Sequence, residues 1–79
     1  IIKDGSYKDA KSKFQEEAQE RVSITPSYKV IKESGPDHEK TFVVGVYLDT
    51  ELVAEGQGLS KREAEEEAAD LALGVKKWN

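Results

Sequence analysis

Apolar residues at Ala10, Phe14, Ala18 and Val22 recur every fourth position, which predicts an amphipathic helix from Asp9 to about Arg21 with that face buried. The opposite side carries Ser12, Gln15, Glu16 and Gln19 at i, i+3, i+4 and i+7, a stripe of hydrogen-bonding groups with one charge. Thr25-Pro26 ends the helical stretch, because proline disfavours a helical residue before it. Tyr28, Val30 and Ile31 then mark a short strand from Ser27 to about Glu33, stopped by the turn cluster Ser34-Gly35-Pro36-Asp37. The clearest alternation follows from Lys40 to Leu48, with Phe42, Val44, Val46 and Leu48 on one face and Val43, Gly45 and Tyr47 on the other. A turn at Asp49-Thr50 leads to a third strand, Glu51 to Glu55; the glycine that favours a tight primed turn is missing, so a loop longer than two residues is expected. After Gly56-Gln57-Gly58, Ser60 and Glu63 form a Ser-x-x-Glu capping box, and Ala64, Ala68, Leu71, Ala72 and Val75 predict the buried face of a second helix.

The order helix, three strands, helix implies an α+β two-layer domain, α-β-β-β-α. Its three-stranded antiparallel meander carries both helices on the face that needs cover. Phe14, Tyr28, Phe42, Leu52 and Leu71 are the expected core. The domain is expected over residues 6–75, with 1–5 as a linker end and 76–79 as a fraying tail in which Trp78 packs loosely.

At 79 residues there is room for one modest core, and with no cysteine neither a disulfide nor a thiolate-bound metal can reinforce it. Methionine is absent even at position 1, so the chain is read as a module of a longer parent. No apolar run approaches the ~20 residues of a membrane span, and the opening Ile-Ile-Lys-Asp-Gly is too quickly charged for a signal peptide. No membrane association and a cytoplasmic setting are therefore expected.

Catalytic chemistry finds little support. There is no Ser/His/Asp or Cys/His set, and the only histidine, His38, has no cysteine or second histidine with which to hold a metal. Asp37 and Glu39 read as a polar turn rather than a cation site, and Gly56 and Gly58 lack the Gly-Lys-Ser/Thr of a phosphate-cradling loop. A Lys-Arg pair in a first helical turn is ordinarily a solvated surface; Lys61 and Arg62 rise above that because they follow Gly58-x-Ser60.

The element order, the Gly35-Pro36-Asp37-His38 loop, the Gly56-x-Gly58-x-Ser60-Lys61 lead into the last helix and the alanine-rich helix itself resemble the double-stranded RNA-binding domain family. Tyr7-Lys8-Asp9, Phe14-Gln15-Glu16, Pro26-x-Tyr28 and Ser60-Lys61-Arg62-Glu63-Ala64-Glu65 resemble most the C-terminal module of bacterial ribonuclease III. That likeness implies three RNA contacts. Ser12, Gln15, Glu16 and Gln19 would meet 2′-hydroxyls and base edges in one minor groove. Gly35, Pro36, Asp37 and His38 would enter the next. Ser60, Lys61 and Arg62 would take the phosphates across the intervening major groove. It also implies that the fragment has no catalytic residue and no cofactor of its own. Mg²⁺ would serve a nuclease domain elsewhere in a homodimeric parent.

Charge complicates that reading, because 12 Lys and Arg against 16 Asp and Glu leave a net charge of −4, whereas nucleic-acid binders are usually basic. A local cationic patch can still dominate, since a distant acidic face is screened over ~8 Å at physiological salt. Glu65 stands where many family members carry a third cation, Glu66 and Glu67 follow it, and the run is expected to weaken binding by the isolated domain. The rival expectation is a protein-protein interaction or dimerisation module of the same fold, motivated by the acidic balance and by Val43 and Tyr47 on the outer sheet face.

Overall fold

The computed structural model describes residues 9–78, so the expected linker end at 1–5, the start of the domain at 6–8 and Asn79 lie outside the described residues. Helix α1 (Ala10–Val22) is followed by strand β1 (Ser27–Ser34), a single 3-10 turn (Asp37–Glu39), strands β2 (Thr41–Leu48) and β3 (Glu51–Gly58), and helix α2 (Lys61–Lys76). The strands form one antiparallel sheet in chain order, the expected meander. Val44, Val46 and Leu48 of the middle strand are buried in a core shared with Phe14, Ala18 and the alanines of α2. Helix α2 lies across β2 and β3, whereas α1 makes its main contact with α2.

The alanines explain the close docking of α2. A Cβ placed on Gly56 would sit 2.1 Å from the Ala68 nitrogen and 2.5 Å from the Ala64 carbonyl oxygen, so helix backbone and strand backbone are nearly in contact. Gly56 and Gly58 are therefore strand residues, paired with Val44 and Phe42, rather than a loop leading into the helix, and β3 runs three residues past the expected Glu55. Glycine is needed there for approach, not for an unusual turn.

Several expected core positions are corrected. Leu71 and Val75 are 46% and 60% exposed, while Ala69 and Leu73 are buried. The row Ala64, Ala68, Ala72 admits either flank, and the one carrying Ala69 and Leu73 joins Phe14, Val46, Leu48 and Val53 in the core. Val22 is exposed because Ser23, at φ 57°, reverses the chain and lets Ile24 fold back, its amide donating to the Ala18 carbonyl. Tyr28 and Phe42 are half-buried. Leu52 faces outward, meeting Ile31 and Tyr47 over the bare Cα of Gly45.

The β2–β3 turn is two residues after all, with Leu48 paired to Glu51 and Asp49 accepting φ 62° in the place of a glycine. The irregularity sits one step inward, where Val53 bulges between the Tyr47–Leu52 and Val46–Ala54 pairs. The expected fraying of 76–79 does not describe 76–78. Lys76 closes α2, Lys77 takes φ 61°, and the Trp78 amide donates to the Leu73 carbonyl at 2.9 Å. The Trp78 ring stacks on Phe14 at 5.3 Å between centroids, with the Arg21 guanidinium on it at 5.8 Å.

Candidate nucleic-acid interface

The α1 stripe is solvent-facing along its length, as its spacing implies: Ser12, Gln15, Glu16 and Gln19 are all exposed. Its first member is held in place. Asp9, the N-cap, accepts from the Ser12 amide at 3.2 Å and from the Ser12 hydroxyl at 2.9 Å. Those two bonds, the side-chain one first, hold the Asp9 carboxyl below its ordinary range. At the far end the Gln19 side-chain amide donates to the Thr25 hydroxyl at 3.2 Å, while Gln15 and Glu16 lie exposed between.

The start of α2 is a capping box displaced by one residue. Ser60 accepts from the Glu63 amide at 3.1 Å, and the Glu63 carboxylate accepts from the Leu59 amide at 3.1 Å instead of that of Ser60. This fixes the first turn, and Lys61 and Arg62 project from it exposed, without an ion pair among the described residues. The positive end of the helix dipole adds to the two side chains.

Between β1 and β2, Gly35 adopts φ 97°, and a Cβ there would lie 2.6 Å from the Glu39 carbonyl oxygen. The turn that follows is closed by the Glu39 amide donating to the Pro36 carbonyl at 2.9 Å, which lifts His38 into solvent at its centre. Lys40 and Glu33 pair across its base at 3.4 Å.

These regions adjoin. A shallow cleft of about 310 Å³ is lined by Asp9, Lys11, Ser12, Gln15, Arg62 and Glu66, joining the front of the α1 stripe to the α2 cations. Another, of about 700 Å³, runs from Asp37, His38 and Phe42 to Leu59, the residue before Ser60. The α2 start thus lies between loop and stripe. Glu16 and Gln19 line neither cleft and stand farther along α1.

Sequence reasoning missed the joint beneath this surface. The run of three glutamates was read only as a charge that weakens binding, but Glu66 reaches the N-terminus of α1, one oxygen accepting from the Ala10 amide at 3.0 Å and the other from the Lys11 amide at 3.3 Å. Glu65 pairs with the Lys11 ammonium at 2.5 Å, and only Glu67 is left exposed. Asp9 caps the Ser12 amide, and with no acidic residue inside the first turn of α1 it is Glu66 of α2 that satisfies the Ala10 and Lys11 amides. Lys11 thereby places a cation beside Glu65. Its ammonium also lies 5.4 Å from the centre of the Tyr28 ring. The Tyr28 hydroxyl is buried with no partner among the described residues, and burial, reinforced by Glu65, Glu66 and Asp9, pushes its pKa up to about 12. Bonds spanning more than fifty positions leave no periodic trace in the sequence.

Among the described residues there is no group of acids and histidines able to hold a metal ion, and no helix long and apolar enough to cross a membrane. Residues 10–75 match the family model for the double-stranded RNA binding motif. The chain is 52% identical over 69 residues to Ribonuclease 3 of Syntrophomonas wolfei, a match covering 87% of this chain and 30% of that protein. Against Ribonuclease 3 of Borreliella burgdorferi it is 49% identical over 69 residues, covering 87% and 28%. With that of Moorella thermoacetica it shares 46% over 77 residues, covering 98% and 33%. The chain therefore spans about a third or less of the length of these relatives. Its fold superposes on a solved structure described as Dicer from Pichia stipitis with a TM-score of 0.68 and 29% identity, over 84% of this chain and 32% of the other.

Proposed function

The chain belongs to the double-stranded RNA-binding motif family, and we propose that it grips duplex RNA by shape, through two successive minor grooves and the phosphates between them. The observation that carries this reading is the position of the α2 start, flanked on one side by Ser12 and Gln15 and on the other by the His38 loop. A-form RNA presents a wide, shallow minor groove lined with 2′-hydroxyls, so a rigid body touching two of them measures about 16 base pairs with little regard to sequence. In this reading Ser12, Gln15, Glu16 and Gln19 meet one minor groove and Gly35, Pro36, Asp37 and His38 the next. Ser60, Lys61 and Arg62 hold the phosphates, each cation releasing counterions on binding.

The likeness to proteins named Ribonuclease 3 supports a further step. The domain presents duplex RNA to an Mg²⁺-dependent nuclease domain of a longer, homodimeric, cytoplasmic parent, and itself binds without cutting. Avidity from two such modules in one parent would offset weak binding by each.

Replacing Lys61 and Arg62 together by alanine should weaken binding to unrelated duplexes of about 20 base pairs alike and flatten the salt dependence. Replacing Gln15 should chiefly erode the preference for RNA over DNA. Unchanged affinity in the double variant would remove the role assigned to the α2 start. A second reading, a protein-docking or dimerisation module, draws on the exposed Ile31 and Leu52 beside Tyr47 on the outer sheet face. Gel-shift titration at low salt beside sedimentation of the free protein separates the two: no shift together with a concentration-dependent dimer would favour docking.

A further inference from the structure

We infer that Glu66, with the Lys11–Glu65 pair beside it, is a positioning element that sets the distance between the α1 stripe and the Lys61–Arg62 cations and so enforces A-form over B-form duplex. The inference rests on the RNA-binding reading above and adds what decides its selectivity. Glu66 follows Arg62 by four residues, so the two share one face of α2 a single turn apart. From that face Glu66 holds the Ala10 and Lys11 amides, and the helix they begin carries Ser12 and Gln15 one turn on. A short, stiff path therefore joins the phosphate contact to the groove-reading contact.

Among the described residues no comparable apolar clamp holds this end of α1. Phe14, stacked on Trp78, and Ala18 bury the middle of the helix, whereas before Phe14 the small Ala10 is its only buried residue. What prevents α1 from pivoting about Phe14 is the pair of carboxylates on α2: Glu65 on the Lys11 ammonium and Glu66 on two backbone amides. A pivot would move Ser12 and Gln15 relative to Arg62 and blur the spacing by which the surface distinguishes groove widths. The two acids would then serve RNA binding despite their sign.

That sign makes the inference testable. Glu66→Ala and Glu66→Gln in the 79-residue chain are titrated with duplex RNA and with duplex DNA of the same sequence over a salt series. Thermal melts and amide exchange at Lys11 are followed in parallel. Glu66→Ala should lose about fivefold in RNA affinity, the worth of roughly one hydrogen bond, with DNA affinity little changed and Lys11 exchange accelerated. Glu66→Gln keeps one acceptor oxygen and should recover part of the RNA/DNA ratio, which also keeps the test open if the alanine variant fails to fold. If either variant binds both duplexes more tightly at low salt, Glu66 is only a repelling charge and the inference falls. A lowered melting temperature with an unchanged RNA/DNA ratio reduces it to a stabilising contact and also overturns it. The Lys61→Ala, Arg62→Ala double variant is the control. If it binds RNA normally, the RNA-binding reading itself fails; if it binds weakly while the Glu66 variants keep their ratio, only this inference does.

Discussion

The two helices lie in the same layer but are held by different means. Helix α2 rests on the sheet through an alanine row pressed so closely on β3 that Gly56 has no room for a methyl group. Helix α1 makes its main contact with α2, through Phe14 against Trp78 at its middle and through carboxylates of α2 at its start. One helix is anchored on the sheet directly; the other, although Ala10, Phe14 and Ala18 reach the core, is tethered mainly to its neighbour. The proposed RNA surface straddles both, with its phosphate-binding cations on the anchored helix and its groove-reading stripe on the tethered one. On the proposed reading, sequence-independent grip would sit on the stiffer support, and shape discrimination would depend on how well the tether holds.

Breaking the anchored side should have the largest effect. In Gly56→Ala the new methyl group would meet the Ala68 nitrogen and the Ala64 carbonyl, backbone atoms that cannot swing aside. A loss of about 3 kcal/mol or more is expected, at the upper end for overpacking, measured by urea denaturation. A second change probes the tether. Trp78→Ala removes the ring that covers Phe14 and should cost about 2 kcal/mol, since roughly half of a large aromatic side chain is involved. Its signature should be local: amide exchange rising in α1 well before α2. Equal rises in both helices would refute the distinction drawn between them.

The smallest effect is expected at Tyr28, beneath the joint. Its pKa is raised to about 12 by burial, so the folded state keeps its proton where the unfolded chain, near the ordinary 10, releases it. The unfolded state then binds fewer protons, and stability is full below about pH 10 and falls as pH rises toward 12. Tyr28→Phe removes both that loss and a buried hydroxyl with no partner among the described residues. It should change stability by no more than about 1 kcal/mol at neutral pH, in the favourable direction, and flatten melting temperatures between pH 10 and 12.

The order of elements and their approximate limits were legible because local patterns encode them. The alternation from Phe42 to Leu48 marks the middle strand, and Ser60 with Glu63 marks the start of α2. What failed were choices that only packing makes. Leu71 and Ala69 flank the same alanine row on opposite sides, and hydrophobicity favours the leucine, yet the core lies on the side that carries Ala69 and Leu73, against Phe14, Val46, Leu48 and Val53. Gly56 and Gly58 suggested a loop by composition and proved to be strand residues under a helix. Of the proposed interface, the stripe, the loop and the cations were found by spacing and likeness. The joint that Glu66 makes beneath them went unseen, because its partners are the amides of a helix some fifty-five residues away.

The family match stops at residue 75, yet the backbone turn at Lys77 delivers an indole onto the middle of α1. Anyone trimming this module for a fusion protein, or grafting it beside another domain, should place the cut after the tryptophan. A boundary drawn from the alignment alone would discard the ring that covers Phe14 and helps to seat α1.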